Sequence, residues 1–111
     1  MCGIFGSLIA NRDTAKYNLE KILESMQHRG PDQNGTWSND RKSILLAHTR
    51  LSILDLSPKG CQPMHSSSGR FIIVYNGEIY NHKILRNEIF QLNREIIWKS
   101  QSDTETLLEL F

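Results

Sequence analysis

Three short segments of this chain are apolar on both alternating positions, which limits the folds that it can adopt. They are residues 4–9, 44–47 and 71–75. A strand with one solvated face alternates apolar and polar side chains, whereas a strand covered on both faces is apolar nearly throughout. These segments therefore predict strands of a sheet that is covered on both faces.

Amphipathic helical segments separate the predicted strands. Residues 16–27 carry apolar side chains at helical spacing, and the Gly-Pro pair at 30–31 ends that pattern. A second stripe of this kind runs through residues 84–92. Ser102, with Glu105 three places on, forms the capping box that opens a third predicted helix.

Two further segments complete the predicted organisation. Residues 95–98 predict another strand, and the polar residues 31–40 predict a loop. Strands and helices in this mixed order favour α+β packing over a regular parallel repeat. A chain of 111 residues is expected to form one domain at most.

The composition argues against several classes of protein. The chain is 39% apolar and 23% charged with a net charge of +1, which gives no electrostatic reason to expect nucleic acid or an anionic membrane as a partner. The sequence contains no apolar run of spanning length, and no signal-peptide pattern precedes Cys2. Cys2 and Cys61 are too few for a disulfide framework, and the four histidines lack the spacing of metal ligands. We therefore expect a cytoplasmic protein without a metal site.

Cys2 directly follows the initiator methionine. Because its side chain is small, we expect removal of Met1, which would leave a thiol and a free α-amine on one residue. An α-amine titrates near ~8, so it can accept the proton of the thiol and later return it to a leaving amine. Cys2 is therefore a candidate N-terminal nucleophile. Taken alone, it could equally be a small buried apolar residue.

Six motifs follow one another along the chain. They are CGIFG at residues 2–6, HRGPD at 28–32, RLSILD at 50–55, GCQPM at 60–64, NGEIYN at 76–81 and SD at 102–103. Together they resemble the glutaminase domain of class II glutamine amidotransferases, which are N-terminal-nucleophile hydrolases, and within that class the asparagine synthetase (glutamine-hydrolysing) type. The resemblance implies that residues 2–111 are the N-terminal part of such a domain, an α+β two-sheet sandwich flanked by helices (αββα) and incomplete in this chain.

The resemblance implies a catalytic set of Cys2, Asn76 and Gly77. The side-chain amide of Asn76 and the backbone N–H of Gly77 would hold the oxyanion that forms when an amide is attacked. The missing Cβ of Gly77 would let the substrate come close. The alternative for Asn-Gly is a hairpin turn, but a helix rather than an alternating strand is predicted after it. His28 and His48 are expected to be structural, because this chemistry needs no histidine base.

The resemblance also implies a glutamine-binding set. Arg50 would fork onto the α-carboxylate, while Asp103 and Glu78 would line the region of the α-ammonium group. Contacts to glutamine are further implied for the residues that follow Arg50, which are Leu51, Ser52, Ile53 and Leu54. The alternatives are a solvated loop arginine at Arg50 and an aspartate at 103 that only favours a helix start.

The implied activity is hydrolysis of glutamine to glutamate and ammonia through a thioester on Cys2. The ammonia would supply an ATP-dependent amidation of the asparagine synthetase type. Two alternatives stay open: an inert fragment or one half of a split amidotransferase, and an amidotransferase with a sugar or other acceptor. No cofactor is expected in this domain, since ATP and Mg²⁺ belong to the absent synthetase domain. The expected partners are L-glutamine and a complementary C-terminal synthetase portion, with a homodimer as an option for a full-length form, but neither nucleic acid nor a membrane.

Overall fold

Strands and helices are mixed along the chain. The structure is a computed structural model, and it describes residues 1–8, 17–41, 43–52 and 57–111. In chain order its elements are β1 Gly3–Leu8, α1 Leu19–Met26, β2 Gln33–Ser38, β3 Ile44–Arg50, β4 Met64–His65, β5 Ile72–Ile73, α2 His82–Leu92 and α3 Asp103–Leu108, with short 3-10 turns at Gln27–Arg29 and Pro58–Gly60. The α+β prediction is confirmed.

β3 is the central strand of a three-stranded antiparallel sheet with the order β1–β3–β2. Gly3 pairs with Thr49 and Gln33 pairs with Arg50, so β1 and β2 both begin beside the end of β3. The strands β4 and β5 form a separate antiparallel pair in which Met64 lies opposite Ile73. This register brings the residue before β1 next to the residues that follow β3.

Helix α1 packs on the three-stranded sheet through an unusually close contact. Its N-terminus is capped by Asn18, whose side chain accepts a hydrogen bond from the Lys21 N–H. At its other end the Met26 carbonyl accepts a hydrogen bond of 3.1 Å from the Thr49 hydroxyl. A Cβ at Gly3 would lie 2.5 Å from that hydroxyl and 2.9 Å from the Cβ of Met26. Glycine at position 3 therefore allows the helix to sit directly over the start of β1.

Helix α3 is short and mostly buried, and its start is fixed by hydrogen bonds. The Ser102 hydroxyl accepts from the Thr104 N–H at 3.1 Å. The Glu105 carboxylate accepts from the backbone N–H groups of Lys99 and Ser100. Ser102 therefore caps the helix as predicted. The predicted capping box does not form, because Glu105 accepts from Lys99 and Ser100 while the Ser102 N–H donates to the Ser100 hydroxyl.

The structure differs from the sequence prediction in three segments. The predicted loop 31–40 contains β2, an edge strand whose side chains alternate between half-buried and exposed, which explains its polar sequence. The described residues 95–98 form no strand, because Trp98 instead lies against the guanidinium of Arg86 at 4.0 Å. Of the predicted strand 71–75, only β5 is paired.

Burial also differs among the strands. β3 is buried from residue 47 to 50, but in the predicted segment 44–47 Ile44 is exposed and Leu46 is half-buried, so coverage on both faces holds only for the second half of the strand. Along β1, exposed positions alternate with buried or half-buried ones, and Ile4 is 42% exposed. The prediction that β1 is covered on both faces was therefore wrong. The predicted ends of β1 and α1 at residues 9 and 16 lie outside the described residues.

Among the residues that the structure describes, no helix combines the length and apolarity needed to cross a membrane.

Candidate active site

A cleft of about 280 Å³ opens where five parts of the chain meet: the N-terminus, the end of β3, residues 60–62, residues 75–78 and the start of α3. Its volume lies near the lower end of the usual range for small-molecule sites. The predicted site residues that line it are Cys2, Arg50, Leu51, Asn76, Gly77, Glu78 and Asp103. Met1 lines it as well and is 73% exposed.

The thiol of Cys2 is held against the segment that follows β3. Its Sγ lies 3.4 Å from the Leu51 nitrogen, which donates to it, and 3.9 Å from the Leu51 carbonyl oxygen. A backbone donor aimed at sulfur stabilises negative charge there. The Cys2 carbonyl accepts a hydrogen bond of 3.3 Å from Arg29, and the neighbouring Gly3 N–H donates to Thr49 at 3.2 Å. The peptide group that follows the nucleophile candidate is therefore held at both its carbonyl and its N–H.

Asn76 lies directly beside Cys2 although 74 residues separate them along the chain. Its Oδ1 accepts a hydrogen bond of 3.2 Å from the Cys2 N–H, which is a peptide group while Met1 is attached. Because Oδ1 is turned to Cys2, the NH₂ of the same amide is left to point elsewhere. A Cβ on Gly77 would overlap the phenol of Tyr75, so position 77 requires glycine in this arrangement.

Arg50 is the last residue of β3, and its guanidinium is already held by the protein. Its Nη1 donates to Gln33 Oε1 at 2.6 Å and to the Ser57 carbonyl at 2.8 Å. The guanidinium packs on Gly60, where a Cβ would overlap Nη2. These contacts fix the plane of the charged group at the wall of the cleft, which the sequence did not indicate.

The loop after Arg50 is described only in part. Leu51 lines the cleft, and the Ser52 N–H donates to the Asp32 carboxylate at 2.7 Å, so Ser52 is tied to the motif at 28–32 instead. The predicted glutamine contacts at Ile53 and Leu54 lie outside the described residues.

Two carboxylates also line the cleft, those of Asp103 and Glu78. Asp103 is only 6% exposed, and its Oδ2 accepts a hydrogen bond of 2.8 Å from the Ile79 N–H, whereas Glu78 is exposed. Burial raises the pKa of Tyr75, and the charges of Asp103 and Glu78 raise it further. The lining of the cleft thus includes the cationic Arg50 and the acidic residues Asp103 and Glu78.

Sequence reasoning missed Gln62, which joins two walls of the cleft. Its Oε1 accepts from the Tyr75 N–H and its Nε2 donates to the Thr104 hydroxyl at 3.3 Å. Gln62 thereby connects the residue before Asn76 with the residue after Asp103. The signal was present in the GCQPM motif, but a motif does not say which of its side chains bridges distant segments.

Neither histidine considered as a base lines the cleft. His28 is exposed in the 3-10 turn after α1. His48 is completely buried, and within the described residues neither of its ring nitrogens has a hydrogen-bond partner. Burial lowers the pKa of His48 and the charge of Arg50 lowers it further, while the nearby Tyr75 backbone opposes part of the shift. Among the described residues, no group of three or more His, Cys, Asp or Glu is placed to hold a metal ion.

Comparison with known proteins gives one consistent family. The model of the glutamine amidotransferase domain matches residues 1–111. Asparagine synthetase B (glutamine-hydrolyzing) of Escherichia coli is 38% identical over 113 residues, covering 100% of this chain and 19% of that protein. Asparagine synthetase (glutamine-hydrolyzing) 2 of Arabidopsis thaliana is 34% identical, and the match covers 100% of this chain and 18% of that protein. Amidase chry2 of Gibberella zeae is 37% identical, and the match covers 100% of this chain and 18% of that protein.

The chain thus spans about a fifth of the length of these relatives. The domain model matches the whole of this chain, and two of the three relatives are asparagine synthetases. The chain belongs to the glutamine amidotransferase domain family and is similar to the N-terminal part of its asparagine synthetase members.

Proposed function

We propose that this cleft hydrolyses the side-chain amide of glutamine, with Cys2 as the nucleophile. The observation that carries the proposal is the contact of Cys2 with both Leu51 and Asn76. The thiol of Cys2 accepts a hydrogen bond from the Leu51 N–H, and the backbone N–H of Cys2 donates to the side-chain amide of Asn76, whose NH₂ can donate to an oxyanion. The proposed fold is the corresponding N-terminal-nucleophile sandwich, of which residues 2–111 form the N-terminal part.

The proposed reaction begins after removal of Met1, which frees the α-amine of Cys2. That amine takes the thiol proton, and the thiolate attacks the amide carbon to give a tetrahedral oxyanion. The NH₂ of Asn76 and the N–H of Gly77 donate to the oxyanion. The Cys2 amine then gives its proton to the departing nitrogen, so ammonia leaves and a thioester remains. Water attacks the thioester, which releases glutamate and restores the thiol.

The charges of the cleft support glutamine as the substrate. Glutamine carries a carboxylate and an ammonium group at one end, and the lining of the cleft includes the cationic Arg50 and the acidic residues Asp103 and Glu78. We propose that Arg50 binds the α-carboxylate and that the two acidic residues hold the α-ammonium group. We propose that Leu51, which lines the cleft, also contacts glutamine.

We propose that the ammonia supplies an ATP-dependent amidation in a synthetase portion like that of the asparagine synthetases. Aspartate is the acceptor that the names of the two asparagine synthetases suggest, and a sugar or other acceptor is the alternative. ATP and Mg²⁺ would act in that portion. A reducing, cytoplasmic setting suits the proposal because both cysteines of the chain are free thiols.

A second candidate is a non-catalytic role as one half of a split amidotransferase. It is favoured by large apolar side chains that lie exposed, such as Leu92 at 89% and Phe111 at 81%. Such side chains suit burial against a complementary chain segment. On this alternative, the chain by itself would not react with a glutamine analogue.

A diazo-ketone analogue of glutamine tests the two candidates. We expect intact-mass spectrometry to show a protein without Met1 that gains one adduct, and peptide mapping to place the adduct on Cys2. The matched control is Cys61→Ser, which keeps the adduct, whereas Cys2→Ser loses it. Asn76→Ala should lower the rate of glutamine hydrolysis by about 10²–10³. A folded protein that retains Met1, or that is labelled equally at both cysteines, contradicts the proposal.

A further inference from the structure

Arg86 on α2 makes a dense set of contacts outside the cleft. Its Nε donates to the Thr106 hydroxyl at 3.2 Å, Nη1 donates to the Ser100 carbonyl at 2.8 Å, and Nη2 donates to the Ser102 carbonyl at 3.0 Å. Nη2 also lies 3.6 Å from Glu105 Oε2 in an ion pair whose side chains are 14% and 5% exposed. One guanidinium therefore holds both the turn before α3 and the body of that helix.

The carboxylate of Glu105, the partner of Arg86, accepts three hydrogen bonds from the turn that precedes α3. It accepts from the Lys99 N–H at 2.7 Å, from the Ser100 N–H at 2.8 Å and from the Ser100 hydroxyl at 2.7 Å. Trp98 covers the guanidinium of Arg86 at 4.0 Å. Residues 98–102 are thus wrapped around a buried ion pair, and their backbone path depends on it.

This turn leads directly into the cleft. Ser102, whose carbonyl Arg86 holds, is followed by Asp103, whose carboxylate accepts from the Ile79 N–H. Ile79 lies three residues before α2 begins. The segment around α2 and the start of α3 are therefore joined at two points, one at Arg86 and one at Asp103.

We propose that Arg86 is a positioning residue that sets the Asp103 carboxylate for the α-ammonium group of the substrate. Through Asp103 it determines selectivity for amides that carry an α-amino group. This inference rests on the proposed function, because it concerns the same cleft. Arg86 suits the task because a planar guanidinium donates in three fixed directions, which the single ammonium of a lysine cannot reproduce.

The test compares glutamine with glutaramate, which is glutamine without its α-amino group, in the intact natural polypeptide. For Arg86→Lys we expect kcat/KM for glutamine to fall about tenfold, mainly through a higher KM, and kcat/KM for glutaramate to change less than about twofold. Asp103→Asn should likewise lower kcat/KM for glutamine relative to that for glutaramate. Adding Arg86→Lys to Asp103→Asn should lower kcat/KM for glutamine by less than a further twofold. Arg94→Lys, at an exposed arginine after α2, is the matched control and should change neither substrate.

Each outcome of this experiment decides a different point. If Arg86 has a merely structural role, kcat/KM falls equally for glutamine and glutaramate. That result, or an unchanged ratio of the two kcat/KM values, overturns the inference. If Arg86→Lys does not fold, Thr106→Val decides, since it is isosteric and removes only the partner of Nε. It should show a smaller loss with glutamine alone, and unchanged selectivity in it overturns the inference. Failure of the unsubstituted protein to hydrolyse glutamine overturns the proposed function itself.

Discussion

Replacing Gly60 by alanine should displace the guanidinium of Arg50 from the wall of the cleft. The added Cβ would overlap Nη2 and lie 2.8 Å from Cζ and 3.2 Å from Nη1. Ordinary van der Waals contact begins near 3.4 Å, so Cζ must move by about 0.6 Å or more. The guanidinium cannot yield freely, because Nη1 is bonded to Gln33 at 2.6 Å and to Ser57 at 2.8 Å.

A displacement of that size disturbs the hydrogen bonds to Gln33 and Ser57, and most of all the longer bond to Ser57. It also moves the cation that we propose binds the α-carboxylate. The loss of about one hydrogen bond to a charged group is worth ~1.5–3 kcal/mol. We therefore expect the KM for glutamine to rise about 10- to 100-fold in Gly60→Ala. The value of kcat should change much less, because Cys2 and Asn76 lie on other segments.

Initial rates of glutamate release against glutamine concentration give both constants. Gly6→Ala is the matched control, because a Cβ there would lie 3.6 Å from Leu46 in an ordinary contact. Denaturant unfolding of both variants shows whether each is folded. A KM for Gly60→Ala within twofold of that for Gly6→Ala would refute the packing of Arg50 on Gly60 or its role in binding.

Two further predictions concern stability. Gln62→Leu removes the partner of the Tyr75 N–H and of the Thr104 hydroxyl, so it should lower the free energy of unfolding by about 2–4 kcal/mol. Chemical denaturation measures this, and a loss no larger than that of the exposed Gln91→Leu on α2 would contradict it. The pKa of His48 is lowered from 6.5 by burial, so the unfolded chain binds the proton more readily and the folded protein should lose stability as the pH falls below about 6.5. His48→Leu should flatten this dependence between pH 7.5 and 5.5, and identical slopes in the two proteins would count against the assignment.

Local patterns were predicted well where the physics acts within a few residues. The stripe of α1, the helix after Asn81 and the cap at Ser102 depend on backbone periodicity and on hydrogen bonds between near neighbours. Polar β2 and the irregular residues 95–98 were predicted wrongly because their structure depends on residues far away along the chain. An edge strand needs only a partner strand, and the tryptophan of an apolar run can pack on a cation instead of joining a sheet.

The candidate site divides in the same way. The residues of the motifs were recognisable because thiol, amide and charged groups have definite chemistry, and the structure brings Cys2, Asn76 and Asp103 to one cleft. Their catalytic and binding roles stay predictions. The bridge made by Gln62 was not visible in the sequence, since it depends on where three separate segments pack.

The sequence by itself determined the α+β class, the main helices, the candidate nucleophile and the family resemblance, because each depends on residue type and spacing along the chain. Only the tertiary structure decided that the Leu51 N–H meets the thiol of Cys2, that Arg50 packs on Gly60 and that Arg86 supports the turn before Asp103. These contacts join separate segments of the chain. Packing sets their distances, and no local preference of the sequence encodes them.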